Sequence, residues 1–243
     1  MIRLFHVSDV HFGAEDQVAL DWFAARVHAE KPDAVVMTGD LTMRARAHEF
    51  EAAAAWLESL KRPVTVEVGN HDLPYFNPWA RFVTPYRRYA ALERMIERPL
   101  DLPGVTIVPL KTTARAQWRL NWSKGYVSDR ALGKALAQVA VAPPEHHVLI
   151  ACHHPLIDTG TRSTSRTRGG AAALDALTAA GANAVLTGHV HDPFDVTHPT
   201  DAGPVRLIGA GTLSERVRDT RPSFNEVRIV DGELHTDVRE MHD

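Results

Sequence analysis

The sequence lacks most features that would tie a chain to a secreted or membrane-bound class of protein. It has one cysteine, Cys152, so no internal disulfide framework can form, and such a chain fits a reducing cytosol. No run of about eighteen apolar residues occurs, which argues against a membrane-spanning helix. The first residues, MIRLFHVSDVHFG, reach charged and polar side chains too soon for a signal peptide. We therefore expect a cytoplasmic protein with no membrane span.

The chain also lacks a strong charge of either sign. Its 27 Lys and Arg residues against 30 Asp and Glu residues give a net charge of -3. That charge creates no field that would attract DNA or an anionic membrane, and no clear nucleic-acid patch is evident. Neither a linker-like tract nor an internal repeat divides the 243 residues. We therefore expect a single domain over residues 1–243.

Short apolar runs that predict strands alternate with segments that predict helices. Strands are predicted over Ile2–Val7, 34–38, 64–68, 105–109, 118–122, 148–152 and 184–187, and helices over 16–30, 48–60, 85–98, 129–141 and 169–180. The tail from Val205 onward, with turn signals at Gly209, Gly211 and Asp231-Gly232, predicts β-hairpin structure. Strands that alternate with helices early in the chain and then dominate favour a mixed α/β protein with two sheets.

Histidine is abundant, at 14 residues, and polar motifs that follow predicted strands contain six of them: His11, His71, His153, His154, His189 and His191. In open α/β sheets, ligands bind beyond the carboxyl ends of the strands. Imidazole nitrogen and carboxylate oxygen suit manganese, iron or zinc, and no thiolate is offered. The motifs are Asp9-Val10-His11, Gly39-Asp40, Gly69-Asn70-His71-Asp72, His153-His154-Pro155 and Gly188-His189-Val190-His191.

These motifs closely resemble, in their order, the set typical of calcineurin-like metallophosphoesterases: D-x-H, G-D, G-N-H-D/E, H-x-P and G-H-x-H. The resemblance covers roughly residues 2–191 and implies a four-layer α-β-β-α sandwich of two mixed β-sheets flanked by helices. It also implies two divalent metal ions (Mn2+, Fe2+/Fe3+ or Zn2+). The first ion would be held by Asp9, His11, Asp40 and His191, and the second by Asp40, Asn70, His153 and His189, with Asp40 as the bridge.

The resemblance predicts a di-metal phosphoesterase, and a phosphodiesterase in particular. Two cations about 3.5–4 Å apart clamp an in-line displacement and make a bridging hydroxide available as the nucleophile. His71 is expected to act as the general acid for the leaving oxygen. The expected substrate is a small phosphoester, with nucleotides among the candidates. The size is similar to class III cyclic-nucleotide phosphodiesterases, although residues 73–77 depart from the Asn-His-Asp-x-Arg pattern of that branch.

Two other functions stay open at this point. One is a phosphomonoesterase, since the same two ions serve both kinds of ester. The other is a non-catalytic metal-binding scaffold on the same fold. Scaffolds of that sort tend to lose the catalytic histidine or some ligands, whereas this chain keeps His71 and all seven ligands.

Several side chains near the motifs allow more than one interpretation. Arg162, Arg166 and Arg168, in the loop 159–170, could bind phosphate from a mobile lid or belong to a solvated surface loop. His154 could contact substrate or have a structural role. Asp72 could orient the His71 ring or cap the following turn.

One apolar stripe lies away from the motifs. Tyr89, Leu92 and Ile96 recur at helical spacing, which predicts core packing or a homodimer surface.

Overall fold

A computed structural model describes residues 1–97, 100–114, 123–162, 167–216 and 220–242 of the chain. The strand predicted over 118–122 and the side chain of Arg166 lie outside these residues. The strands are β1 (Ile2–Val7), β2 (Ala34–Met37), β3 (Val64–Val66), β4 (Val105–Pro109), β5 (His147–Ala151), β6 (Ala182–Thr187), β7 (Phe194–Thr200), β8 (Gly203–Gly209), β9 (Ser223–Val230) and β10 (Glu233–Glu240). The helices are α1 (Gln17–Glu30), α2 (Ala47–Ser59), α3 (Pro78–Val83), α4 (Arg87–Ile96), α5 (Asp129–Val139) and α6 (Gly170–Ala179).

The strands form two mixed sheets of five strands each. The first has the order β10-β9-β1-β2-β3, and its β1, β2 and β3 are parallel. The second has the order β4-β5-β6-β8-β7 and is parallel except for its antiparallel edge strand β7. Within each sheet, the parallel strands therefore end at a common edge.

The two sheets pack face to face and are covered by helices on their outer faces. Leu4 of β1 lies in a core between the sheets that also contains Leu149 of β5. Its neighbour Phe5 points to the opposite face, as alternation along a strand requires, and packs with Phe23 of α1 in a second core. A third core joins the second sheet to α5 and α6. The predicted four-layer α-β-β-α sandwich is confirmed.

Two helix features follow the sequence signals. The Asp16 side chain caps α1 by accepting from the Val18 nitrogen at 3.0 Å, and Ser128 caps α5 as predicted. The stripe Tyr89, Leu92 and Ile96 on α4 is buried in the core beneath the first sheet, so core packing is its role. None of the helices in the described part of the chain has the length and apolar character that crossing a membrane requires.

The tail is only partly a hairpin. β9 and β10 pair antiparallel around Asp231 and Gly232, whose φ angles of 51° and 81° suit a tight hairpin turn. The prediction that Gly209 and Gly211 mark a hairpin turn is wrong, because β8 and β9 belong to different sheets. The hairpin partner of β8 is instead β7, which the sequence pattern did not predict.

Candidate metal centre

The predicted motifs meet at one end of the sandwich, where parallel strands of both sheets end. Hydrogen bonds join the loops of the two sheets directly. His153 Nδ1 donates to the Thr38 carbonyl at 2.8 Å, and the backbone nitrogen of His189 donates to Asp9 Oδ2 at 2.8 Å. Thr212, after β8, donates its hydroxyl to the Asp9 carbonyl at 2.7 Å. The site therefore depends on the packing of both sheets.

The backbone at this end of the sandwich is strained. Five of the predicted ligands have left-handed φ angles: Asp9 (57°), His11 (47°), Asp40 (54°), His189 (71°) and His191 (61°). Such conformations cost about 1–3 kcal/mol each for residues other than glycine, and they persist where the surrounding structure dictates them. Strain of this kind clusters at ligand-binding and catalytic sites.

Three of the four predicted ligands of the first ion form a tight buried group. Asp9 Oδ1 lies 3.0 Å from His191 Nε2 and 3.5 Å from His11 Nε2. The two Nε2 atoms are 3.3 Å apart. All three residues are buried, so bulk water does not separate these ligand atoms.

The remaining predicted ligands lie beside this group, with Asp40 between the two sets. Asp40 Oδ2 is 3.8 Å from His11 Nε2 and 3.3 Å from His153 Nε2. Asn70 Oδ1 lies 3.2 Å from the same His153 nitrogen. The His189 ring centroid is 5.1 Å from that of His153. The structure thus brings all seven predicted ligands together, with Asp40 between His11 and His153.

Imidazole nitrogens and carboxylate oxygens face one another in this cluster, and a proton or a metal ion must lie between them. A carbonyl oxygen only accepts hydrogen bonds, so His191 donates from Nδ1 to the Arg216 carbonyl and His153 donates from Nδ1 to Thr38. In a neutral ring, the Nε2 atom then has only a lone pair, yet it faces a carboxylate oxygen. Either an added proton or a metal ion must sit between these acceptors. Histidines whose second nitrogen is fixed by a carbonyl are typical metal ligands, so the residues present fit divalent ions.

The pKa shifts of His153 and Asp40 also show that this cluster favours positive charge. Burial would lower the pKa of His153, but the charge and hydrogen bond of Asp40 outweigh it and raise that pKa to about 9. Burial would raise the pKa of Asp40, yet the charge of His153 holds it far below its usual value. For His189, by contrast, burial and the charge of His153 lower the pKa to about 3.

His71 lies at the open rim of this cluster and is half-buried. Its Nδ1 donates to the Met43 carbonyl at 2.8 Å, which orients the ring and leaves Nε2 toward the site. Asp72 does not hold this ring. Its carboxylate accepts from the backbone nitrogens of Thr42 and Gly69, each at 2.9 Å, so Asp72 caps the loop.

The predicted substrate contacts have varied surroundings. His154 is fully buried, and its ring binds the Thr112 hydroxyl at 2.9 Å and the Ser123 carbonyl at 2.9 Å. A substrate contact by His154 would cost one of these bonds. Arg168 is exposed, with its guanidinium 5.8 Å from the centre of the Tyr126 ring, and Arg162 is also exposed. Phosphate binding by these residues stays a prediction.

The sequence interpretation missed Arg216. Its Nη1 lies 3.0 Å from His71 Nε2 and 3.4 Å from His11 Nε2. The signal that could have found it is the strand-end rule itself, because Arg216 follows β8, whose carboxyl end shares the edge with β5 and β6.

Comparison with known proteins gives the same family as the motifs. The profile of the family described as calcineurin-like phosphoesterase matches residues 2–193. One component of the nuclease SbcCD, from Staphylococcus epidermidis, is 27% identical over 81% of this chain and 59% of its own length. A probable cyclic nucleotide phosphodiesterase of Rhodococcus erythropolis is 26% identical over 94% of this chain and 80% of its own length.

A solved structure shares the fold. A dimetal phosphatase from Danio rerio matches with a TM-score of 0.72 at 15% identity, over 98% of this chain and 96% of that one. At this identity the likeness concerns the fold alone. The chain spans about three fifths of the nuclease component, so that protein's activity does not transfer with the similarity. The matched residues make up most of the chain and include all five motifs, and the chain belongs to the calcineurin-like phosphoesterase family.

Proposed function

We propose that this chain hydrolyses phosphodiesters with two divalent ions, manganese, iron or zinc. The proposed ligands are Asp9, His11, Asp40, Asn70, His153, His189 and His191. The observation that carries the proposal is that imidazole Nε2 atoms lie only 3.0–3.8 Å from carboxylate oxygens. A diester is favoured because a nuclease component and a protein named a probable cyclic nucleotide phosphodiesterase are among the relatives.

When bound, two ions would acidify water and neutralise the charge that develops on the phosphoryl oxygens. The protein supplies their positions and the proton for the leaving group. Asp40 Oδ2 faces both sets of ligands, since it lies 3.8 Å from His11 Nε2 and 3.3 Å from His153 Nε2. Burial of the carboxylates excludes bulk water, which strengthens these electrostatic interactions.

His71 is the proposed general acid. Met43 fixes its Nδ1, so Nε2 is the atom that can reach a substrate. In the protonated ring, Nε2 would give its proton to the leaving oxygen as the phosphorus–oxygen bond breaks. Water contributes the new oxygen on phosphorus, so the products are an alcohol and a phosphomonoester.

The test is hydrolysis of bis-p-nitrophenyl phosphate after chelation and reconstitution with manganese, iron or zinc. p-Nitrophenyl phosphate, run in parallel, compares a monoester with the diester. We expect turnover that depends on added metal and a larger kcat/KM for the diester. The double variant Asp40→Asn/His153→Ala is the matched inactive protein, because it removes the bridging charge and one imidazole.

Each alternative has a distinct outcome. Preference for the monoester would make the protein a phosphomonoesterase. Absence of turnover on every ester with metal fully bound would favour the non-catalytic scaffold and contradict the proposal. A panel of cyclic nucleotides, linear dinucleotides and nucleotide diphosphates then narrows the substrate.

A further inference from the structure

Arg216 is held at the site by its backbone. Two residues just before Arg216 form hydrogen bonds with the loop after β1. The Thr212 hydroxyl donates to the Asp9 carbonyl, and the backbone nitrogen of Glu215 donates to the Ala14 carbonyl at 3.1 Å. The Arg216 carbonyl accepts from His191 Nδ1 at 2.9 Å. The backbone of Arg216 therefore orients a proposed metal ligand whatever its side chain does.

The side chain of Arg216 turns toward the proposed general acid. Its Nη1 is 3.0 Å from His71 Nε2 and 3.4 Å from His11 Nε2. The guanidinium thus lies between a proposed ligand and the proposed acid. The reacting phosphoryl group would have to lie in the same place, since it must reach both the ions and His71.

The charge of this guanidinium is poorly matched by its neighbours. Its side-chain contacts are imidazole nitrogens, and no carboxylate of the described residues pairs with it. A guanidinium cannot bind a cation, because it has no acceptor and stays charged. Ions bound at His11 would repel it further. The chemistry that satisfies such a group is an anion with paired oxygens, and phosphate fits its planar fork.

Arg168, one of the arginines predicted to bind phosphate, has surroundings that differ from those of Arg216. Its guanidinium lies over the Tyr126 ring, and its backbone forms hydrogen bonds with Gly125 and Val127. Unlike Arg216, Arg168 has no side-chain hydrogen bond to the clustered histidines among the described residues.

We propose that Arg216 binds a non-bridging oxygen of the substrate's phosphoryl group, next to the leaving oxygen that His71 serves. The inference rests on the proposed function, because it places phosphate at the same centre. It makes Arg216 the residue through which the loop after β8 both orients His191 and recognises substrate.

The test is binding of inorganic phosphate to the manganese-loaded protein, followed by calorimetry, in the variants Arg216→Gln and Arg216→Lys. We expect Arg216→Gln to weaken phosphate binding at least tenfold, while Arg216→Lys keeps part of the affinity because the charge remains. Manganese content should stay at the wild-type level, since the Arg216 carbonyl is unchanged. Arg26→Gln, an exposed arginine on α1, is the matched control and should not alter phosphate affinity.

Phosphate affinity in Arg216→Gln equal to that of the wild type would overturn the proposal, as would a wild type that binds no phosphate. Loss of manganese in both Arg216 variants would also overturn it, because the residue would then support the ligands only. Should Arg216→Gln not fold, tighter or equal phosphate binding in Arg216→Lys decides against the proposal. If Arg216→Gln weakens phosphate binding but the wild type hydrolyses no diester, Arg216 remains a phosphate-binding residue. That result would reject the proposed phosphodiesterase activity instead.

Discussion

At the scale of single residues, the site depends on which nitrogen of each histidine is already bonded. His71, His153 and His191 each donate from Nδ1 to a backbone carbonyl, which leaves Nε2 toward the centre. Such carbonyls fix the ring and its tautomer, and in the proposed ligands His153 and His191 this raises the basicity of Nε2. The carbonyls belong to Met43, Thr38 and Arg216, none of which lies in a motif with the histidine that it orients.

His71→Ala tests the separation of the proton donor from the ligands. We expect kcat on a diester with a poor leaving group to fall by about 10²–10⁴, the usual contribution of a positioned acid. Manganese content should remain that of the wild type, because His71 is not among the proposed ligands. The measurement is steady-state kinetics together with metal analysis, with the exposed His48→Ala as control. Parallel loss of metal and activity in His71→Ala would make His71 a ligand.

The sequence predicted the members of the cluster because ligand types and their position after strands can be read from the chain. It could not predict their partners. Whether Asp72 holds His71 or caps a loop depends on the path of the Thr42 backbone, which only the folded chain defines. Arg216 escaped notice because its side-chain contacts are with residues at least 145 positions away.

At the scale of elements, close packing between loops sets the geometry of the ligands. A Cβ on Gly69, after β3, would come 2.1 Å from Asp40 Oδ1 and 2.2 Å from the Asp40 nitrogen. The loop after β3 therefore rests directly on the proposed bridging ligand. A side chain at this position would force the carboxylate or the backbone to move.

Gly69→Ala should accordingly reduce manganese binding at least tenfold and lower the free energy of unfolding by about 1–3 kcal/mol, as overpacking does. The matched control is Gly133→Ala within α5, where an added Cβ meets nothing within 4 Å. That change should stabilise the protein by up to about 1 kcal/mol, because alanine favours helix. Metal titration and denaturant unfolding of both variants measure the two effects. Wild-type metal affinity in Gly69→Ala would argue against this role of the loop.

Elements with a clear hydrophobic pattern were predictable, and those without one were not. β1 matches its predicted bounds because all its residues except His6 and Arg3 are apolar and four of the six are buried. β7 has no such pattern: most of its side chains are exposed and it contains Pro199, which an edge strand tolerates. The six-residue helix α3 is too short for a periodic signal to stand out.

At the scale of the whole molecule, a buried acid that is not among the proposed metal ligands should shape the pH dependence of stability. Glu67 is 5% exposed, and burial, followed by the charges of Glu97 and Glu93, raises its pKa well above the ordinary 4.5. Between pH 4.5 and the raised value, the folded state binds more protons than the unfolded state. The free energy of unfolding contributed by Glu67 therefore falls as pH rises through that window.

Glu67→Gln removes this titration. We expect the variant to lose less stability than the wild type between pH 5 and pH 8, measured by urea unfolding with manganese saturating in all samples. The exposed Glu51→Gln on α2 should keep the wild-type pH dependence. An unchanged pH dependence in Glu67→Gln would mean that the Glu67 carboxyl ionises normally in the folded protein.

Two sheets and five strand-end motifs together build the proposed centre for two ions. The most direct measurement is the number of ions bound per chain, determined by metal analysis after equilibrium dialysis against manganese, iron or zinc. We expect two ions per chain in the wild type and a thermal midpoint that rises with metal concentration, because only the folded chain assembles the ligands. A protein that binds no ion, or only one at saturation, would contradict this account of the site.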